Sequence, residues 1–118
     1  MQNLSSILKS VSKPGRYTGG EYGQIIKDKK NIKCRIAFCF PDTYEIGMSN
    51  LGVRLLYGAL NSMPDVWCER VYAPWTDMEE QMREHKIPLF AHESKDNVKD
   101  FDIVAFSFVC DKYYLIID

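Results

Sequence analysis

Ile36-Ala37-Phe38-Cys39-Phe40 is an unbroken apolar run of strand length, closed by Pro41-Asp42. A half-exposed strand alternates polar with apolar. One that is apolar at every position must be covered on both faces, as in a parallel sheet packed between helices. Two further strand-length segments follow, Val66–Ala73 before Pro74 and Asp102–Val109.

The stretches between them carry helical signals. In Leu51–Leu60, Leu51, Leu55 and Ala59 fall four apart, with Leu56, Leu60 and Met63 beside them, which predicts a core-facing stripe. Ser49 or Asn50 can cap its start, and Asn61-Ser62-Met63-Pro64 ends it. Gly52 and Gly58 each cost about 1 kcal/mol of helix propensity against Ala, which calls for close backbone contact there. Thr76-Asp77-Met78-Glu79 reads as a capping box opening a helix to about Lys86, with Met78, Met82 and His85 inward and Glu79 paired with Arg83 outside. Residues 87–100 read as a short apolar patch and then loop or weak helix.

Strand, helix, strand, helix, strand implies parallel crossovers. The expected fold is α/β, a partial Rossmann-like three-layer parallel sheet over residues 32–118, with residues 1–31 as a basic N-terminal extension. Three strands are few for that architecture, and a third strand without its covering helix suggests a chain cut short and prone to self-association.

Composition narrows the class. The chain has 118 residues, enough for one domain, and is 46% hydrophobic and 26% charged, as an ordinary globular protein is. No run approaches the roughly 20 apolar residues of a membrane span, and the opening residues lack a secretory core, so a cytoplasmic protein with no membrane partner is expected. Residues 1–35 hold eight basic and two acidic side chains, and the remainder holds seven and fourteen. A basic extension lying on an acidic domain accounts for this split, and no nucleic-acid partner is expected.

Cys34, Cys39, Cys68 and Cys110 form no C-x-x-C and no zinc spacing, so structural thiols are expected and no metal site. Gly19-Gly20 and Gly23 are not preceded by a strand, which argues against a phosphate loop; residues 16–26 read as a turn or short hairpin.

Ligands of open parallel sheets bind outside the carboxyl ends of the strands. That edge is predicted to comprise the ten-residue loop Pro41–Asn50, then Pro74-Trp75, then Ser107–Asp111. Its candidate ligand-contacting residues are Asp42, Tyr44, Glu45, Gly47, Met48, Ser49, Asn50, Trp75 and Ser107. Asp42 and Glu45 read as an acid/base pair or as structural hydrogen-bonding groups, Gly47 as a turn or a phosphate contact, and Trp75 as a stacking surface or a core lid. His85 and His92 read as isolated histidines, and no catalytic set is expected in this chain.

Certain words of the sequence are more specific. They are K-P-G-R-Y-x-G-G-E-Y from Lys13, P-D-x-Y-E-I-G-M-S-N-L-G from Pro41, E-R-V-x-A-P-W-x-D-M-E from Glu69 and F-D-I-V-x-F-S from Phe101. Together they resemble the N-terminal region of radical SAM proteins that carry a B12-binding domain. The resemblance implies a cobalamin-binding-type Rossmann-like domain with cobalamin as its small-molecule cofactor. The remainder of the polypeptide is then its partner and holds a [4Fe-4S] cluster and S-adenosylmethionine. The C-x3-C-x2-C run that binds such a cluster is absent here, so this piece is expected to be non-catalytic. The D-x-H-x-x-G run that supplies an axial histidine in many cobalamin domains is absent too, which implies cobalamin without a protein histidine, or the shape alone. The alternative is a stand-alone flavodoxin-like module that binds a small molecule or a partner.

Overall fold

The computed structural model describes residues 2–106. The elements are α1 (Gln2–Leu8), α2 (Gly15–Thr18), β1 (Cys34–Phe40), α3 (Tyr44–Ser49), α4 (Leu51–Asn61), β2 (Val66–Tyr72), α5 (Thr76–Glu84) and β3 (Ile103–Phe106). Among the described residues the sheet runs β2-β1-β3, and both pairings are parallel. This is the α/β, Rossmann-like order expected. An order of 2-1-3 places the topological switch between β1 and β3.

The central strand is buried as its composition demands. Ile36, Phe38 and Phe40 face α4, packing with Val53, Tyr57 and Cys68. Ala37 and Cys39 face the other way, beside Val71, Ala91 and Phe101. That second face is covered by the segment 91–101. Helix α5 turns Met78 and Met82 instead toward Leu4, Ile7, Val11, Tyr17 and Phe90. The polar lead-in of the sequence thus supplies buried apolar side chains of its own.

Several local expectations give way. The stretch 16–26 holds the short helix α2 and glycine turns with positive φ at Gly19, Gly20 and Gly23, and no hairpin. The supposed loop Pro41–Asn50 contains α3, although Asn50 caps α4 as expected, accepting from the Val53 N–H at 3.0 Å. The inward face of α4 is Val53, Tyr57 and Asn61. Leu51, Leu55 and Leu56 of the predicted stripe are 66%, 63% and 50% exposed. Tyr57 decides that rotation, because its hydroxyl is tethered to the Ile25 N–H and to Glu93. Helix α5 starts at Thr76, without a side-chain cap, and ends at Glu84. Asp77 spends one oxygen on the Met78 N–H and the other on Ser12. The Glu79–Arg83 pair forms as expected, whereas His85 is exposed and bonds to the Gln81 carbonyl. The third strand is described as far as Phe106; its predicted continuation to Val109 lies outside the described residues.

The outer edge of β2 has no neighbouring strand among the described residues, yet its backbone is satisfied. In a parallel strand every second residue turns both its N–H and C=O outward. Here these are Val66, Cys68 and Arg70. The Val66 N–H donates to the Met63 carbonyl, and Lys27 Nζ donates to the Val66 carbonyl. Buried Asn61 presents its side-chain amide to Cys68, donating to its carbonyl at 3.0 Å and accepting from its N–H at 2.8 Å. The Arg70 N–H donates to Glu93 Oε1 at 2.9 Å, and the Arg70 carbonyl accepts from the His92 N–H at 2.7 Å.

Truncating Asn61 to Ala should leave both Cys68 backbone groups without a partner and cost about 1–3 kcal/mol. The measurement is the urea midpoint; an Asn61→Ala protein as stable as the parent would contradict this reading of the edge.

Candidate functional site

The segment Pro41–Asn50 leaves β1 at the carboxyl edge of the sheet and is pinned there by backbone. The Asp42 carbonyl accepts from the Ala73 N–H at 2.8 Å, and Asp42 Oδ1 accepts from the Thr43 N–H at 2.8 Å. Asp42 therefore joins the ends of β1 and β2. Glu45 lies on α3 and pairs with Arg16 at 2.8 Å, which holds its carboxyl below the usual range. The two carboxylates serve different partners.

Tyr44 stacks on His92 with ring centroids 5.0 Å apart and meets Tyr72 edge-on at 5.5 Å; His92 meets Tyr72 edge-on at 5.6 Å. Gly47 is buried against the same Tyr72 ring. A Cβ there would lie 2.2 Å from a ring carbon, so this glycine is required by close approach. Met48 Sδ accepts from Arg70 Nη1 at 3.0 Å and from the Tyr72 hydroxyl at 3.3 Å. Ser49 Oγ donates to the Glu45 carbonyl within α3. Trp75 is 50% exposed, with the Arg16 guanidinium 5.3 Å from its ring centre, and its N–H donates to the Tyr17 hydroxyl. Ser107 lies outside the described residues.

Tyr44, Gly47 and Met48 thus converge on Tyr72, and Glu45 and Trp75 share Arg16. Ser49 and Asn50 are spent on helix ends. What the sequence did not disclose is the charged cluster behind them. Arg70 and Glu93 are buried within apolar surroundings, and Glu93 accepts from the Arg70 N–H, Arg70 Nε and the Tyr57 hydroxyl. Glu21 reaches in from the Gly-rich loop to pair with Arg70 and with His92 Nε2 at 3.2 Å. Burial works against the Arg70 charge, but Glu93, Tyr72 and Tyr57 around it together raise its pKa. Burial pushes the Tyr72 hydroxyl up and His92 down. The available signal was Glu69-Arg70, two charges inside a strand flanked by apolar residues. Such a pair inside a sheet must find partners.

Only about 20 Å³ is open on this side, between Arg16, Tyr17, Tyr72 and His92, enough for one water. A larger cavity of about 320 Å³ adjoins it across Tyr72, Pro74, Met82 and Leu89 and runs between the strand ends and α5. Its described lining takes Cys39, Phe40 and Pro41 from the end of β1, Val71, Tyr72, Ala73 and Pro74 from β2 and beyond, and Phe106 from β3. Met82, Ile87, Pro88 and Leu89 face them, and Glu79 and Arg83 stand among the lining. Pro41 and Pro74 of the predicted edge line it, but none of the described candidate ligand-contacting residues does. Burial pushes the Cys39 thiol up to about 11, so it remains protonated and presents an apolar wall, not a nucleophile. Cys68 is likewise pushed to about 12. Among the described residues no group of His, Cys, Asp and Glu side chains is arranged to hold a metal ion, and no helix is long and apolar enough to cross a membrane.

Gly47→Ala should force Tyr72 or α3 to move and cost about 1–3 kcal/mol, read by thermal unfolding; an unchanged melting temperature would refute the required close approach. His92 gives a pH dependence. An unfolded histidine titrates near 6.5, while burial holds folded His92 below that. As pH falls through 6.5 the unfolded chain takes up a proton that the folded one resists, so stability should decline between about pH 7.5 and 5.5. Glu21 is also held low, against the effect of its burial, by hydrogen bonding and by His92 and Arg70; its contribution is lost only below 4.5. Urea midpoints across that interval should fall for the parent and flatten in His92→Gln.

Residues 52–117, more than half of the chain, match the family described as "Radical SAM proteins, N-terminal". No curated protein and no solved structure matches. The matched segment begins within α4 and takes in β2, α5 and β3, while β1 and the segment Pro41–Asn50 precede it. By that match this chain belongs to the family of radical SAM protein N-terminal regions.

Proposed function

We propose that this chain is the N-terminal, cobalamin-binding-type Rossmann-like domain of a cytoplasmic radical SAM enzyme, and that it is itself non-catalytic. In this reading residues 1–31 are an extension seated on the partial domain 32–118, and the domain's partner is the remainder of its own polypeptide. There a [4Fe-4S] cluster and S-adenosylmethionine supply radical chemistry. Membership of the family carries the reading, and the parallel 2-1-3 sheet supports it.

Cobalamin itself does not fit the residues the sequence nominated. Tyr44, Gly47 and Met48 are packed onto Tyr72 and Arg70, and the opening of about 20 Å³ that reaches His92 holds one water. His92 Nε2 is engaged with Glu21, so it is not presented as an axial ligand. The edge fits a smaller molecule better, because 320 Å³ lies at the lower end of ligand pockets and far below the bulk of a corrin. That cavity also favours the second reading, a flavodoxin-like small-molecule module, in which the ligand is apolar.

The deciding experiment is to extend the chain through its downstream coding sequence and reconstitute it anaerobically with iron and sulfide. The longer protein should contain C-x3-C-x2-C, show cluster absorbance and cleave S-adenosylmethionine, while residues 1–118 do neither. A downstream sequence without those cysteines would sink the reading. Hydroxocobalamin titrated into the 118-residue chain should give no shift of its visible bands; a saturable shift would restore the cobalamin expectation.

A further inference from the structure

Gly19, Gly20 and Gly23 all lie in the left-handed region, with φ of 74°, 82° and 89°. A Cβ at Gly20 or Gly23 would meet nothing within 4 Å, so these two serve the shape of the turn and not a close approach. The turn closes on itself. The Gly20 N–H donates to Gln24 Oε1 at 2.6 Å, and the Gln24 N–H donates to the Glu21 carbonyl at 3.1 Å. Its roots are fixed separately: Lys95 Nζ donates to the Thr18 carbonyl at one end, and the Ile25 N–H donates to the Tyr57 hydroxyl at the other. Between those roots Tyr22 is wholly exposed, and Glu21 is the one side chain of residues 20–23 that reaches the body.

What Glu21 reaches is held in place without it. Arg70 is positioned by Glu93 at Nε, by Met48 at Nη1 and by the Tyr57 ring 4.3 Å from its guanidinium. His92 is held by its backbone N–H on the Arg70 carbonyl and by its ring contacts with Tyr44 and Tyr72. Arg70 Nη2 and His92 Nε2 then converge, and Glu21 sets one carboxylate oxygen on each. The His92 contact is a hydrogen bond to a carboxylate when the ring proton sits on Nε2. Two donors with side chains 7% and 3% exposed, fixed by other groups and directed one to each oxygen, form a preorganised receptor for a planar carboxylate. The receptor is set by packing, whereas its occupant rides on a turn of glycines.

We propose that Arg70 and His92 form a carboxylate-binding site, that Glu21 occupies it in cis, and that residues 19–24 are a strap lifted by a small carboxylate ligand that takes the place of Glu21. The exchange puts one carboxylate where another was, so Arg70 is not left stranded. The void beside His92 and Tyr72 has room for one water, so the part of the ligand that enters is a short carboxylate arm no bulkier than the Glu21 side chain.

A short tether gives Glu21 an effective concentration of about millimolar order, so acetate at about 100 mM should compete with it. Chymotrypsin reads the strap in the parent chain, because a protease needs extended backbone and the latched turn at Tyr22 denies it. Near neutral pH, acetate should speed the cut after Tyr22 at least about threefold, and chloride at equal ionic strength should not. Glu21→Ala empties the site. Its cut after Tyr22 should be fast without acetate, and acetate, unlike chloride, should raise its melting temperature saturably by about 3 °C or more. The cleavage assay needs no substitution, so it decides even where Glu21→Ala does not fold. A cut indifferent to acetate overturns the strap. A Glu21→Ala melt that acetate leaves unmoved, or that chloride raises equally, overturns the carboxylate site.

Discussion

A strand at the rim of a sheet must either find hydrogen-bond partners or offer its backbone to other molecules, and the organisation of this chain turns on how β2 meets that demand. The partners are side chains and loop amides: Lys27, the Asn61 carboxamide and the Glu93 carboxylate with the His92 N–H. Each comes from a different part of the sequence, and each placement has consequences. Asn61, with Tyr57 on the same face, fixes the rotation of α4. Glu93 draws Arg70 and Tyr57 into a buried cluster, and Arg70 in turn draws in Glu21. Buried charge of this kind contributes little net stability, but removing one member leaves the other stranded, so the set holds together as a unit.

The same cluster explains why the predicted ligand edge is closed on one side. Tyr44 and Met48 are consumed by contacts with Tyr72, His92 and Arg70, and Gly47 exists to let Tyr72 in. Next to it α5 packs on α1 and Tyr17 and leaves the strands uncovered near their ends. An apolar cavity results, at the place where an open parallel sheet ordinarily receives its ligand.

The fold was legible because β1 is apolar at every position, and continuous apolarity leaves few alternatives to a covered parallel strand. The site was only partly legible. Asp42 to Asn50 could be placed at the strand end, but α3 within it was hidden, since Tyr44–Ser49 has neither length nor periodicity to mark a helix. The wrong face of α4 was chosen for a physical reason: leucines four apart normally mark a core, and here they lie outside while Tyr57 and Asn61 go inward for their polar groups. His92 and Glu93 read as loop because their burial depends on the β2 edge, a tertiary requirement that no local pattern carries. Arg70 was visible as an oddity in a strand, yet its partners at Glu21 and Glu93 lie far away in sequence.

The asymmetry between the two rims of the sheet sets a direction of growth. With the rim at β2 sealed by side chains that belong to the chain's own interior, no further strand can be added there without dismantling the Arg70 cluster. Enlargement is confined to the flank of β3, the strand from which the polypeptide continues. Any added strands would therefore be laid down one way only, and the cavity, lined chiefly by the ends of β1 and β2, would stay beside the sealed rim of the sheet.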